Sequence, residues 1–205
     1  LPGQTLESWT GSLNWIEKLG VPHVSVYMLE VDEDSRLGRE LLVLGSRYGA
    51  CDVPGDDAIA DFYELAVERM ASIGIERYEI SNFARAGFES RHNLKYWKRE
   101  PDLGFGADAH AFDGEMRWGN PESAAEYVAG HVTNQRQIER TPADALAERF
   151  FLGLRLREGV ESNAFPEVIE RFVGEGLLER AGNRVRLTTR GVFLSNEVFA
   201  EFIGK

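Results

Sequence analysis

The pattern of apolar and polar positions at the start of the chain is that of a helix followed by a strand. Between Thr5, an N-cap residue, and Gly20, apolar residues recur every three or four positions. The next segment, from His23 to Leu29, carries Val24, Val26 and Met28 at alternate positions. Such a short, nearly continuous apolar run predicts a strand in a sheet that is covered on both faces.

The same alternation then repeats. After an acidic turn and a mixed segment to Pro54, Asp56 or Asp57 is predicted to cap a second helix that closes at Gly74. Its buried stripe consists of Ile59, Phe62, Tyr63, Ala66, Met70 and Ile73. The short segment 77–81 predicts the next strand. Helices and strands that alternate at this spacing indicate an α/β architecture with parallel strands.

From about residue 82 to 119 the pattern turns irregular and rich in glycine, histidine and aromatic residues. Long segments without periodicity are usually functional or disordered, and the aromatic content argues against disorder. A short helix is predicted after Pro121, with the proline in its first turn. A polar, linker-like stretch runs from 131 to 140.

A second unit is predicted from Thr141, an N-cap residue that is followed by a proline at the first helical position. The pattern gives a helix to about Leu154, a second helix over 166–173, a hairpin formed by 177–180 and 184–187, and a last helix that carries apolar residues from Val192 to Phe202. Two helices, a two-stranded wing and a final helix resemble a winged-helix fold of the α+β class.

Composition excludes several classes of protein. The 205 residues include no apolar run of the length that a membrane span needs, and residues 1–5 lack the regions of a signal peptide. The single cysteine, Cys51, excludes an internal disulfide, a zinc site built from thiolates and a self-contained iron–sulfur cluster. The cytoplasm is therefore the expected compartment. The abrupt entry at Leu1-Pro2-Gly3 is interpreted as the sign of a truncated chain.

The negative net charge of the chain argues against a nucleic-acid partner. The net charge is -11, and residues 142–205, which contain the predicted wing, carry 9 basic and 10 acidic residues. A nucleic-acid footprint needs a positive surface, so a winged-helix nucleic-acid-binding module is kept only as an alternative of another class.

The densest group of candidate functional residues is Arg91-His92-Asn93-Leu94-Lys95-Tyr96-Trp97. An imidazole can ligate haem iron, and tyrosine and tryptophan faces can stack on a macrocycle, so this group suits a planar apolar ligand that carries a metal. The alternative is a core histidine packed among aromatic residues. His110 is equally ambiguous, whereas His23 and His131 are expected to be structural or solvated.

Other polar residues carry weaker signals. The loop Gly104-Phe105-Gly106 could cradle a phosphate, but it lacks the third glycine of a dinucleotide fingerprint. The acidic run Asp32-Glu33-Asp34 is typical of a solvated turn, and no motif surrounds Cys51, which is expected to be inert. Gln4 follows a predicted strand end, where α/β folds place ligand contacts, although a turn-capping role fits equally well.

Four consecutive signatures carry a resemblance to a known family. They are Leu1-Pro2-Gly3-Gln4-Thr5, the run 78–84 (Tyr-Glu-Ile-Ser-Asn-Phe-Ala), His92-Asn93-Leu94-Lys95-Tyr96-Trp97 and Leu103-Gly104-Phe105-Gly106. The tail segments 152–160 and 187–191 add to it. The chain resembles the radical SAM family of oxygen-independent coproporphyrinogen III oxidases (HemN-like), and its HN-x-x-YW element resembles the haem-chaperone (HemW-type) branch. It departs from that pattern at Ala107-Asp108, where family members have Pro-Gly.

The resemblance implies a fold and a set of ligands. The fold would be the C-terminal part of a partial (β/α) radical SAM barrel over residues 1–90, an irregular connecting region over 91–140 and a winged-helix-like domain over 141–205. Family members hold a [4Fe–4S] cluster through an upstream CxxxCxxC motif, together with S-adenosylmethionine. The present chain would then be a C-terminal fragment that binds no cluster and is not catalytic by itself.

The resemblance also assigns residues. Gln4 matches the glutamine that contacts S-adenosylmethionine in the oxidases. His92 matches the proposed haem contact of the chaperones, with Asn93, Tyr96 and Trp97 completing the motif and the haem iron as the only metal expected at His92. The implied function is to bind haem and deliver it to an acceptor protein. The alternative within the family is the oxidase of porphyrin biosynthesis, which decarboxylates coproporphyrinogen III.

Overall fold

The computed structural model describes residues 1–130, 136–138 and 142–203. The packing of the backbone divides the chain into two compact units, Leu1–Glu89 and Ser90–Lys205. The division of the second unit into a connecting region, 91–140, and a domain, 141–205, stays a prediction. Thr141 and His131 lie outside the described residues, and so does most of the predicted linker.

The first unit alternates helices with short strands. Its elements are α1 (Leu6–Leu19), β1 (His23–Ser25), α2 (Arg36–Leu42), a 3₁₀ helix (Arg47–Asp52), α3 (Asp56–Ser72), β2 (Glu76–Arg77) and β3 (Asn82–Ala84). The boundaries of α1 confirm the predicted helix, because Thr5 forms a capping box with Ser8 and Gly20 ends the helix in a left-handed conformation. The helix α2 and the 3₁₀ helix have no counterpart in the sequence prediction.

The predicted parallel pairing of the strands is wrong for the described residues. β3 lies between β1 and β2 and pairs antiparallel with both, with Val24 opposite Phe83 and Arg77 opposite Phe83. The strand expected over 77–81 ends at Arg77, and the chain turns before it resumes as β3. The strand expected over 23–29 is limited to His23–Ser25, although the Val26 N–H still donates to the Ser81 carbonyl at 2.8 Å.

The core of this unit lies between α1, α3 and the sheet. The residues that fill it are Leu13, Tyr63, Ala66, Met70, Ile75, Ile80 and Phe83. The predicted stripe of α3 is thus confirmed at its centre, but its N-cap is Gly55, and Asp56 and Asp57 occupy the first turn instead. Carboxylates in a first turn still stabilise a helix, because they lie near the positive end of its dipole.

The second unit begins in the region that the pattern left irregular. Its elements are α4 (Arg91–Trp97), β4 (His110–Phe112), β5 (Arg117–Gly119), α5 (Ala124–Val128), β6 (Arg136–Ile138), α6 (Pro142–Leu154), β7 (Val160–Glu161), α7 (Pro166–Gly174), β8 (Leu178–Ala181), β9 (Arg184–Leu187), α8 (Thr189–Phe193) and α9 (Ser195–Ala200). The helix predicted after Pro121 is α5, which begins after its N-cap Ser123 rather than at the proline.

Two antiparallel sheets organise this unit. β5 is the middle strand of one sheet, between β4 and β6, and β9 is the middle strand of the other, between β7 and β8. The predicted hairpin is confirmed as β8 and β9, with Gly182 at a φ of 65° in the turn. The single last helix was wrong, because Leu194 separates α8 from α9. The strand β6 lies within the segment that was predicted to be a linker.

Aromatic packing closes the core of the second unit. Phe150, Phe165 and Phe202 form a triangle, with ring centroids 4.9 to 5.4 Å apart. Such contacts add to the burial of large rings and fix α6 against the start of α7 and the segment that follows α9. Among the helices described here, none is long and apolar enough to cross a membrane.

Candidate functional site

The helix α4 carries the whole HN-x-x-YW element. The Ser90 hydroxyl caps it by accepting the Asn93 N–H at 3.3 Å. At the other end, the Arg99 and Glu100 N–H groups donate to the carbonyls of Tyr96 and Lys95, which is the pattern of a Schellman motif. The prediction that this segment is irregular was wrong. Serine is a favoured N-cap residue, so Ser90 could have indicated the start of this helix from the sequence.

One face of α4 points into solvent and carries His92 and Tyr96. These residues are one helical turn apart, and their rings meet edge to face, with centroids 4.9 Å apart at 89°. The Tyr96 hydroxyl lies 3.2 Å from His92 Nε2, so the two groups share a hydrogen bond. Both side chains are exposed. The alternative in which His92 is a core histidine is therefore excluded.

The other face of α4 turns toward the rest of the second unit and carries Asn93 and Trp97. Both residues are half-buried. The Arg155 guanidinium lies 4.3 Å from the centroid of the Trp97 ring, a cation–π contact. Trp97 Nε1 is buried and has no acceptor among the described residues. The four motif residues thus share a helix but not a surface.

Trp97 also lines an open cleft within the second unit. Gly153, Leu156 and Val160 supply apolar wall, while Lys98, Arg149 and Glu158 lie among its charged residues. Lys98 Nζ is 3.8 Å from Glu158 Oε1, so part of this charge is paired. The cleft is not lined by His92 or Tyr96.

Basic residues accompany the exposed aromatic pair. Arg91 and Lys95 lie one turn apart on α4, both side chains are exposed, and the seven residues of the helix include no acidic side chain. Neither forms an ion pair with another described residue. This stretch is locally positive in a chain whose net charge is -11, so it favours an anionic ligand.

Beyond the end of α4 lies a buried group of charges that sequence reasoning missed. Arg99 Nε and Arg117 Nη2 are each 2.7 Å from a different oxygen of Glu148, which is 3% exposed. Both guanidinium groups also lie over the ring of Phe112, at 4.5 and 4.4 Å. The three charged residues come from distant parts of the sequence, so no local spacing could have shown that they meet.

The glycine-rich loop after α4 is fixed by close backbone contacts. A Cβ on Gly104 would lie 2.1 Å from the His110 carbonyl oxygen, so only glycine fits there. The Asn120 amide donates to the carbonyls of both Gly104 and Gly106, at 3.1 and 2.9 Å. Asp108 adopts a φ of 60°, a left-handed conformation that favours glycine. These contacts account for the glycines without a phosphate.

The remaining candidates lie in the first unit or apart from α4. Gln4 is half-buried and lines a small cleft together with Trp9, Met28 and Tyr63. His23 Nε2 pairs with the Tyr78 hydroxyl at 2.9 Å, in agreement with its expected structural role. Asp32, Glu33 and Asp34 form an exposed turn, and Cys51 is an exposed free thiol. His110 is exposed and begins β4.

The structure shifts the pKa of Tyr63 in the first unit and of Asp113 in the second. Burial raises the pKa of Tyr63 above its ordinary value, and its hydroxyl donates to the Ile80 carbonyl at 2.6 Å. The backbone N–H groups of Met116 and Glu115 lower the pKa of Asp113, because they donate to its carboxylate in the turn between β4 and β5.

The residues of this chain do not fit an iron–sulfur cluster. A [4Fe–4S] cluster needs several thiolates, and the sequence contains one cysteine. Within the described ranges, no three His, Cys, Asp or Glu side chains are grouped closely enough to hold a metal ion. No radical step can therefore be derived from these residues.

Comparison with known proteins gives this arrangement a context. Residues 141–194 match the HemN C-terminal domain family. Curated relatives named "Heme chaperone HemW" include one from Bacillus subtilis, 35% identical, for which the match covers 100% of this chain and 57% of the relative. Another, from Mycobacterium tuberculosis H37Rv, is 36% identical, with 99% and 53% covered. The chain spans little more than half the length of these relatives.

Solved structures support the same fold. Coproporphyrinogen III oxidase (HemN) from Escherichia coli, whose description calls it a radical SAM enzyme, superposes with a TM-score of 0.72 at 16% identity. The match covers 99% of this chain and 52% of that enzyme. The predicted fold class is thus confirmed. The relatives named "Heme chaperone HemW", including a further one from Escherichia coli, match this chain along essentially its whole length.

Proposed function

We propose that this chain is the haem-binding part of a HemW-type haem chaperone, and that the exposed face of α4 is where haem binds. The observation that carries the proposal is the His92–Tyr96 pair, an imidazole that is accessible to solvent and is held by an aromatic neighbour on the same face. The names of the curated relatives support haem as the ligand. Haem is the cargo here, and an acceptor protein would take it over.

The hydrogen bond within the pair specifies how the imidazole would bind iron. A neutral imidazole has one N–H and one lone pair. When Nε2–H donates to the Tyr96 oxygen, the lone pair of Nδ1 is available to a metal. Histidine ligands usually donate their second N–H to such a partner, which fixes the tautomer and the ring orientation. Tyr96 would thus orient the ligand His92 rather than bind iron itself.

The charges on α4 suit the rest of the haem molecule. Haem combines an apolar macrocycle with two carboxylates, so a matching site needs an aromatic surface beside basic groups. Tyr96 supplies the ring, and Arg91 and Lys95 supply exposed positive charge on the same short helix. Because this site is open to solvent, the haem would remain accessible to an acceptor, as a chaperone requires and a buried prosthetic group does not.

In the first unit, S-adenosylmethionine is proposed as the ligand of Gln4. The support is that Gln4 is half-buried and lines a cleft with Trp9 and Met28. When bound in a radical SAM protein, this cofactor supplies a radical through the cluster. The present residues would contribute only binding contacts from the Gln4 amide and the apolar wall.

A haem titration tests the proposal. The purified chain is titrated with ferric haem and the Soret band is followed, with His92→Ala as the test variant and His110→Ala as the matched control, since both histidines are exposed in the same unit. We expect His92→Ala to weaken binding by about tenfold or more, because the axial ligand is lost. Equal binding by the parent chain and His92→Ala would overturn the assignment.

A further inference from the structure

We propose that Arg99 is a positioning residue for the haem-binding helix: its ion pair with Glu148 fixes the C-terminal end of α4 and thereby the direction of the His92–Tyr96 face. This inference rests on the proposed function, because it concerns how the same site is held. Arg99 itself faces inward, with a side chain that is 11% exposed, and it is not expected to touch haem.

The first argument is the backbone at Arg99. This residue occupies the position after the last helical residues at which a Schellman motif requires a left-handed conformation, and its φ is 55°. Glycine is the usual residue there, because a side chain raises the energy of this conformation. An arginine in this place indicates that its side chain does something that glycine cannot do.

The second argument is what that side chain contacts. Arg99 Nε donates to Glu148 Oε2 at 2.7 Å, and its guanidinium lies over the ring of Phe112, which is 1% exposed. Glu148 belongs to α6 and Phe112 to β4. A single side chain thus joins the end of α4 to a helix and a strand of the same unit through contacts that water scarcely reaches.

The third argument is that α4 depends on tertiary contacts to remain folded. It has seven residues, about two turns, and helices of that length are not stable alone. On its inward face, Trp97 contacts Arg155. Its outward face, which carries His92 and Tyr96, is exposed. The Arg99 anchor follows Trp97 by two residues and therefore limits rotation of the helix at the end nearest to Tyr96.

The triad of Arg99, Arg117 and Glu148 also provides a matched control. Arg117 pairs with the other oxygen of Glu148 at 2.7 Å and lies over the same Phe112 ring, but it belongs to β5 rather than to the end of α4. Loss of either arginine removes one of the two guanidinium groups that face Glu148 in a nearly buried place. A purely structural role of the triad predicts equal consequences, whereas a positioning role of Arg99 predicts unequal ones.

The test compares Arg99→Met with Arg117→Met in the 205-residue chain, with Arg99→Gly as a third variant. Arg99→Gly removes the anchor but relieves the left-handed backbone, so a loss in this variant cannot be attributed to strain at the helix end. Hydrogen exchange of the amides in residues 91–98 is measured first, because it needs no haem. Haem affinity is measured second.

We expect both Arg99 variants to speed exchange in 91–98 by about tenfold or more, while Arg117→Met leaves that segment within about threefold of the parent. Haem affinity should fall in the Arg99 variants only. Equal exchange in 91–98 for Arg99→Met and Arg117→Met would overturn the inference. If the parent chain bound no haem, the proposed function would fail, and the exchange data would still decide whether Arg99 positions α4.

Discussion

The guanidinium of Arg155 lies 4.3 Å from the centre of the Trp97 ring, on the face of α4 opposite to His92. This contact divides the HN-x-x-YW element into two parts. Trp97 holds the helix against the rest of the second unit, whereas His92 and Tyr96 face solvent. The motif therefore combines the face that is proposed to bind haem with the face that anchors the helix, and the two can be separated by substitution.

Trp97→Ala should lower the free energy of unfolding by about 2–4 kcal/mol, because it removes a large, half-buried ring and the contact with Arg155. Trp97→Phe should cost about 1 kcal/mol, since most of the apolar contact remains. Urea unfolding followed by circular dichroism measures both. A Trp97→Ala protein as stable as the parent would show that this face of α4 does not anchor the helix.

Tyr96→Phe should weaken haem binding without changing stability, whereas the Trp97 variants are expected to change stability. Tyr96 is 36% exposed, so its hydroxyl contributes little to stability and the midpoint of unfolding should not change. Haem affinity should fall by about tenfold, because the partner that orients the His92 imidazole is lost. The Soret titration of this variant checks the prediction. An affinity equal to that of the parent would assign the hydroxyl no part in orienting His92.

The buried phenol of Tyr63 should make the protein sensitive to alkaline pH. Burial raises the pKa of Tyr63, so in strong base the unfolded chain loses its proton first and the folded state binds more protons. The stability that this group contributes is complete below the ordinary tyrosine pKa of about 10 and is lost as the pH rises through the raised value in the folded state.

Tyr63→Phe should therefore reduce the loss of stability above about pH 10, although at neutral pH it should cost about 1 kcal/mol for the hydrogen bond to Ile80. Tyr27→Phe is the control, because Tyr27 is 73% exposed. Urea unfolding at a series of pH values from neutral to strongly alkaline measures the slopes. Identical slopes for the parent and Tyr63→Phe would contradict the account.

Gly104 offers a test of the loop that sequence reasoning considered as a phosphate cradle. Gly104→Ala should destabilise the protein by about 2 kcal/mol or more, because the new Cβ would meet the His110 carbonyl. Gly11→Ala, at an open position inside α1, should instead stabilise it by up to about 1 kcal/mol. Thermal unfolding without phosphate distinguishes this packing role from a ligand role, which predicts no change for Gly104→Ala.

The sequence correctly predicted the elements that depend on residues close together along the chain, and it failed where distant residues decide the structure. Capping residues and apolar periodicity correctly located α1, α3, α6 and the β8–β9 hairpin, because these features depend on neighbours along the chain. Parallel pairing was inferred from the alternation of helices and strands, but the register of β3 depends on partners on both sides. The alternation of helices and strands along the chain could not show that β3 pairs antiparallel with both neighbours.

The candidate site shows the same limit. The sequence placed His92 and Trp97 in one motif, yet which of them is exposed depends on where Arg155 and Glu148 fold against α4. Arg155 lies 58 positions along the chain from Trp97, and Glu148 lies 49 positions from Arg99, so both contacts arise only through tertiary packing. Long-range contacts of this kind leave no periodic trace.

The most direct test of haem ligation by His92 is the iron–histidine stretching band in the resonance Raman spectrum of the ferrous haem complex. The account predicts a band in the parent chain and in His110→Ala that shifts when the histidines carry ¹⁵N, and no such band in His92→Ala. A band that persists unchanged in His92→Ala would mean that another residue holds the iron, and the proposed site would be wrong.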